Sequence, residues 1–270
     1  MPTLYVVATP IGNLEDVSIR ALRTLSEVPL IAAEDTRKTR RLLNAYGIRT
    51  RLTSYHEHNK EAKLHRLLNH LNSEDLALVS EAGMPGISDP GYELVVAAAQ
   101  SGITIVPVPG ASALTAAIAV SALPTDQFVY LGFLPRRKGE RRRLLERTAK
   151  EERTLVAFEA PHRLRAALAD IAGVLGERRI AICRELTKLH EEVFRGTASE
   201  AIEHFQQPVG EFTLVIEGAP AGQRQIDPSV EAELRRLYDE GFSAREATAQ
   251  VAKATGIPRR QLYQAWLRLA

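Results

Sequence analysis

Short runs of β-branched and apolar residues alternate with helix-period segments along most of this chain, and consecutive strands separated by helices must pair in parallel. Leu4-Tyr5-Val6-Val7-Ala8 reads as a first strand. Ser18 then caps a helix in which Ile19, Leu22 and Leu25 share a face. Leu30–Ala33 is a second strand, Thr39–Tyr46 a helix stopped by Gly47, and a strand-like segment precedes His56-Glu57-His58. Leu64, Leu67, Leu68 and Leu71 have amphipathic-helix spacing, and Leu76–Ser80 and Thr104–Val106 add further strands. Residues 1–122 are therefore expected to form an α/β domain with a mostly parallel sheet. With 270 residues, 45% of them hydrophobic, the chain can bury a substantial core and fits one large or two modest domains.

Leu123-Pro124-Thr125-Asp126 reads as a linker to a second α/β domain at 123–222. Its strands are Phe128–Phe133, Thr154–Phe158, Ile180–Cys183, Val193–Gly196 and Phe212–Glu217, with helices near 139–149, 162–175 and 199–206. The third strand leads directly into the fourth, which predicts antiparallel pairing and hence a mixed sheet. Ala219-Pro220-Ala221-Gly222-Gln223 breaks the pattern, and 223–270 carries only helix signals. Ser243 can cap a helix bearing Ala247 and Val251, and Gly256-Ile257-Pro258 turns into a helix bearing Leu262, Trp266 and Leu269. This helix-turn-helix pattern, with Arg259 and Arg260 at the start of its second helix, fits either a nucleic-acid contact or a C-terminal helical pack.

Three glycine- and proline-rich loops follow strands of the first domain, at Ala8–Asp16, Gly83–Gly91 and Pro107–Ala113. All three belong at the carboxyl edge of one parallel sheet, where open α/β sheets bind ligands. No Gly-x-Gly-x-x-Gly follows the first strand and no Gly-x-x-x-x-Gly-Lys occurs, so the expected ligand is neither an ordinary NAD nor ATP. Asp89 is placed to accept hydrogen bonds from a ligand's amine or ribose hydroxyls, unless it only shapes an Asx-turn. Glu34-Asp35 and Glu81 end two strands beside that edge and are candidate proton acceptors, as is His162 at the end of a second-domain strand. His56 and His58 lack an obvious third ligand, so no metal site is expected.

The formal charge of +2 argues against a uniformly basic coat and directs attention to clusters. Arg37, Lys38, Arg40 and Arg41 follow Asp35, while Arg136, Arg137, Lys138, Arg141, Arg142 and Arg143 surround Glu140. Such runs are either solvated helix faces or patches that guide a phosphate backbone. The single cysteine, Cys183, sits in an apolar run and reads as a buried core residue of a protein from a reducing compartment. No apolar stretch reaches the roughly 20 residues of a membrane span, and Leu4–Ala8 is too short for a signal-peptide core. A soluble, cytoplasmic protein is the expectation.

Several of these segments closely resemble the tetrapyrrole methylase superfamily, over roughly residues 2–218. They are Ala8–Asp16, Ala33-Glu34-Asp35-Thr36-Arg37, Ser80–Pro85, Phe158-Glu159-Ala160-Pro161-His162-Arg163 and the more widely shared Pro109–Ala113. Within the superfamily they are similar to a branch that 2′-O-methylates a cytidine in the decoding region of 16S rRNA. Ser88-Asp89-Pro90 stands where the superfamily usually has Gly-Asp-Pro. The resemblance implies two α/β domains, a homodimer, and S-adenosylmethionine bound in the cleft between the domains. Carried over by position, its cofactor contacts fall at Pro10, Ile11 and Gly12, at Ile87, Asp89 and Tyr92, at Gly110, Ala111, Ser112 and Ala113, and at Phe158 and Thr213. It also implies 16S rRNA or the small ribosomal subunit as substrate, guided by the two basic clusters. Asp35, Glu81 and His162 are the candidates for taking the 2′-hydroxyl proton. Methylation of a tetrapyrrole precursor or a protein side chain, and a non-catalytic RNA-binding role, are the alternatives.

Overall fold

The computed structural model describes residues 2–220, 228–255, 257 and 259–268. Met1–Gly218 form one compact unit and Ala219–Ala270 another. The first unit begins with a sheet of β1 (Thr3–Val7), β2 (Leu30–Ala33), β3 (Arg51–Ser54), β4 (Leu76–Val79) and β5 (Thr104–Val108). Its order is β3-β2-β4-β1-β5 and every pairing is parallel. The connecting helices are α1 (Ile19–Glu27), α2 (Thr36–Ala45), α3 (Lys60–His70) and α4 (Tyr92–Gln100), with α5 (Ala113–Val120) after the last strand. Both faces are covered, so Leu30, Ile31, Ala32 and Ala33 are all buried. Ile31 and Ala33 join a cluster with Leu25 and Leu43, while Leu30 and Ala32 join one with Leu67 and Leu94. Successive side chains of one strand thus feed two cores.

Three local differences from the sequence reading have physical causes. Helix α2 starts at Thr36 rather than Thr39, because the Asp35 carboxylate accepts hydrogen bonds from the Arg37 and Lys38 amides and caps it. Strand β5 runs on through Pro107, which an edge strand tolerates because one side of it donates to no ladder. Ile19 does not share the buried face of α1: it is 87% exposed, and Ala21, Thr24 and Leu25 pack inward instead.

The second sheet contains β6 (Phe128–Phe133), β7 (Thr154–Glu159), β8 (Arg179–Arg184), β9 (Glu192–Thr197) and β10 (Phe212–Ile216), in the order β6-β7-β10-β8-β9. Only β6–β7 is parallel, joined across α6 (Lys138–Thr148); the other pairs are antiparallel, so the sheet is mixed. Helix α7 (Pro161–Leu175) and α8 (Ala198–His204) cover one face, where Leu155, Leu164, Leu168, Ile182 and Leu214 share a core. The other face meets the first half of the unit: Val156, Ala181, Cys183 and Val215 pack on Leu114, Ala117 and Ile118 of α5. Helix α5 therefore joins the last loop of the first sheet to the second sheet. Cys183 is buried there, and burial pushes its thiol up to about 11.

In the C-terminal unit, α9 (Pro228–Asp239), α10 (Ala244–Thr255) and α11 (Arg259–Trp266) enclose Val230, Leu234, Leu237, Val251, Leu262 and Trp266. Ser243 caps α10 through the Glu246 amide. Gln223, Gly256, Pro258, Leu269 and the Arg260 side chain lie outside the described residues. Among the described residues no helix is long and apolar enough to cross a membrane.

Candidate active site

Strands β4, β1 and β5 are neighbours, so the loops at their carboxyl ends converge. Thr9 and Gly83 exchange backbone hydrogen bonds of 2.9 and 3.0 Å, tying the first loop to the second. Gly83 holds φ +78°, a left-handed conformation that glycine adopts without strain. The Ala8 amide donates to Val108 O at 3.0 Å, tying the first loop to the third.

These loops face the second sheet across a cavity of about 450 Å³. The first sheet's side supplies Ile11, Met84, Ile87, Ser88, Asp89, Ser112, Ala113 and Leu114. The second supplies Phe133, Phe158, Glu159, Phe212 and Thr213. Phe158 stands edge-on to both Tyr130 and Phe133, with ring centroids 5.3 and 5.5 Å apart, which fixes an aromatic wall. Ser88 occupies the left-handed region at φ +65°, where a side chain is strained, and its hydroxyl lies 2.6 Å from that of Tyr130. Ser88 thus pins the second loop to β6.

The carboxylates around the cavity differ in character. Burial, reinforced by the charge of Glu34 and opposed by a Ser80 hydrogen bond, pushes Asp89 up to about 7. Glu34 is also raised, chiefly by burial, and accepts a hydrogen bond from the Glu81 amide at 3.0 Å. Asp35 lies below the usual carboxylate range, first because the Arg37 amide donates to it, and capping leaves it a weak proton acceptor. Glu81 pairs with Lys38 and lines two cavities, the one above and a second of about 280 Å³. Glu159 is buried, pairs with Arg163 at 2.6 Å, and is raised chiefly by its burial.

The second cavity is lined by Thr9, Pro10, Ile11 and Gly12, by Lys38, Thr39 and Arg41 of α2, by Ser80–Ala82, and by Lys188 and Glu211. Of the positions expected to contact a cofactor, Ile11, Ile87, Asp89, Ser112, Ala113, Phe158 and Thr213 line the larger cavity. Pro10 and Gly12 line the smaller one, and Tyr92, Gly110 and Ala111 line neither. His162 is exposed on the first turn of α7, beside the cavity-lining Pro161. Among the described residues no group of three or more His, Cys, Asp or Glu side chains is placed to hold a metal ion.

The basic clusters divide. Arg37 is exposed, and Arg40 reaches Thr50 O at 3.4 Å. Arg136, Arg137, Lys138 and Arg143 are exposed along α6 and just before it. Arg141 is a correction to the expected RNA contacts. Its side chain is 5% exposed and is held by Asp170 at 2.6 Å and by the carbonyls of Pro135 and Arg136, so it braces α6 against α7. Arg142 is half-buried and directed at the same carboxylate, 3.5 Å away. A residue missed in the sequence is Lys188, in the loop after β8; its flanking Glu185 and Thr187 adopt positive φ without being glycine, which no composition signal announces.

The chain matches the family model for Tetrapyrrole (Corrin/Porphyrin) Methylases over residues 3–202 and that for the RsmI C-terminal HTH domain over residues 224–270. A protein of Halalkalibacterium halodurans named Ribosomal RNA small subunit methyltransferase I is 49% identical, covering 97% of this chain and 93% of its own. Proteins of the same name from Synechocystis and Thermotoga maritima are 49% and 52% identical, covering 100% and 81% of this chain and 99% of each of theirs. Solved structures with the same fold include a uroporphyrin-III-C-methyltransferase from Thermus thermophilus, at 19% identity and TM-score 0.55, covering 89% of this chain and 98% of that one. A diphthine synthase aligns at 15% identity and TM-score 0.61, covering 80% of this chain and 90% of its own.

Proposed function

The chain belongs to the tetrapyrrole methylase family and, within it, to the ribosomal RNA small subunit methyltransferase I group, and we propose that it transfers a methyl group from S-adenosylmethionine to the ribose 2′-hydroxyl of a cytidine in the decoding region of 16S rRNA. The observation that carries this reading is the pair of abutting cavities, one with an apolar, aromatic wall and the raised carboxyls of Glu34, Asp89 and Glu159, the other bearing cations, with Glu81 in the wall of both.

The larger cavity suits the methyl donor. Its volume lies in the range of small-molecule sites, the rings of Phe133 and Phe158 offer a face to a purine or a sulfonium, and Asp89, Ser112 and Thr213 offer acceptors. Bound there, S-adenosylmethionine supplies a methyl carbon activated by its sulfonium. The chain's part is to hold the ribose oxygen in line with that carbon and to accept a proton. As the ribose oxygen took up that methyl, a carboxylate where the two cavities meet would accept the 2′-hydroxyl proton. Glu81 is the acceptor this geometry favours: Asp35 is spent on capping α2, and His162 lies outside the lining. The cations of the smaller cavity suit a backbone phosphate, in keeping with an RNA substrate. The same reading makes the protein a cytoplasmic homodimer, as the family resemblance implies.

Incubating the protein with methyl-labelled S-adenosylmethionine and small subunits from cells lacking the methyltransferase, then mapping the product, tests this reading. Label on a cytidine ribose in the decoding region is expected; label on a base or in protein overturns it. Glu81→Gln is expected to lower kcat about 100-fold, in line with loss of a general base, while leaving donor affinity within about twofold. An unchanged kcat removes Glu81 from the proton-accepting role.

A further inference from the structure

The smaller cavity draws its cations from both sheets of the unit. Lys38 and Arg41 lie one turn apart on α2, and Lys188 comes from the loop between β8 and β9. Two are already placed by carboxylates: Lys38 by Glu81, and Lys188 by Glu185 at 2.8 Å and Glu211 at 2.9 Å. The Arg41 side chain has no hydrogen bond or ion pair among the described residues. Glu81, Glu185 and Glu211 thus engage only Lys38 and Lys188, which leaves Arg41 as the cation of the lining with no carboxylate of its own and able to meet an anion.

The loop carrying Lys188 is held in a conformation that costs energy. Glu185 and Thr187 sit at φ +49° and +68°. The Asn13 amide donates to Thr187 Oγ1 at 3.1 Å, and Thr187's own amide donates to Glu191 at 2.5 Å, which fastens the loop over the first loop of the other sheet. Gly12 makes room for it: a Cβ there would stand 2.4 Å from Lys188 Cγ. This construction fixes the lysine stem across the cavity, next to Ile11 and Glu81, which also line the donor cavity.

We propose that the smaller cavity is the subsite for the phosphodiester adjoining the target ribose, with Arg41 and Lys188 as its two donors. The assignment rests on the RNA-methylating reading given above and deepens it. A backbone phosphate gripped there lays the ribose against Glu81, with the methyl donor beyond. Arg41 presents a planar fork to two phosphate oxygens, and Lys188 a point charge. Neither reads a base, so the subsite fixes position and not sequence.

The test is the kinetics of methyl transfer to unmethylated small subunits by the full chain carrying Arg41→Gln, Lys188→Gln, or Arg66→Gln as a control for lost charge on the exposed face of α3. Arg41→Gln and Lys188→Gln are each expected to raise KM for subunits about tenfold, the low end of a lost charge-assisted hydrogen bond. Donor affinity should stay at the wild-type value, and the slope of log affinity against log salt should fall by about 1. Arg41→Lys should recover part of the loss, and Arg66→Gln should change none of it. Because Lys188 also pairs with two glutamates, Arg41→Gln decides the matter if Lys188→Gln folds poorly. Wild-type protein that labels no subunit RNA defeats the functional reading itself. Wild-type protein that labels it, with Arg41→Gln matching its KM and salt slope, overturns the subsite, as does a Lys188→Gln defect confined to KM for the donor.

Discussion

Asp89→Asn is expected to bind S-adenosylmethionine about tenfold more weakly than wild type at pH 8, and within about twofold of it at pH 6. The reason is the position of Asp89 in the donor cavity, where burial and the nearby Glu34 push its carboxyl up to about 7. At pH 8 the group is ionised and can accept charge-assisted hydrogen bonds or face a cation, a gain that one pKa unit of coupling values at about 1.4 kcal/mol. At pH 6 it is mostly protonated and resembles the asparagine. Titration calorimetry across that range should show wild-type affinity rising with pH and the variant flat. Stability should move the opposite way. A carboxyl raised in the folded state contributes stability that is complete below its ordinary value near 4 and is lost as pH rises through about 7. Without ligand, Asp89→Asn should therefore melt above wild type at pH 8, and the advantage should vanish at pH 4. A substitution that stabilises the fold while weakening the ligand is the signature of a group kept for binding. Equal affinities at both pH values would remove Asp89 from the donor site.

Asp170→Ala should cost about 3–5 kcal/mol of stability, because it strands the Arg141 guanidinium in a position only 5% exposed. Arg141 would keep only its bonds to the carbonyls of Pro135 and Arg136, at 3.3 and 3.5 Å. Urea unfolding followed by circular dichroism should show a markedly lower midpoint, and Arg141→Met combined with Asp170→Leu should regain most of the loss, since an apolar pair leaves no buried charge. A single-variant loss below about 1 kcal/mol would mean that the pair is solvated and that Arg141 is free to meet RNA after all.

Arg141 also illustrates where sequence reading stops. Six basic residues around Glu140 look alike in one dimension, and only a carboxylate 29 positions away distinguishes the one that is buried. The sheets were legible because strands buried on both faces are continuous apolar runs, as Leu30–Ala33 and Leu76–Val79 are. The direct step from β8 to β9 announced their antiparallel pairing. Ile19 misled because apolar spacing cannot tell the first residue of a helix, which overhangs the core, from those a turn further in. The three loops marked the sheet edge, yet Lys188 arrives from the far sheet in a loop with no glycine or proline at its strained positions. Its role depends on a tertiary approach to Gly12 that no local pattern encodes.

The central claim is that the methyl donor occupies the cavity between the first sheet's loops and the second sheet. Ultraviolet cross-linking of methyl-labelled S-adenosylmethionine to the full chain, followed by peptide mapping, tests it most directly. Label is predicted on the peptides that carry Phe133, Phe158 and Met84–Asp89, all of which line that cavity. Label confined to the C-terminal helices 228–268, or label on the cavity peptides that survives an excess of unlabelled donor, would contradict it.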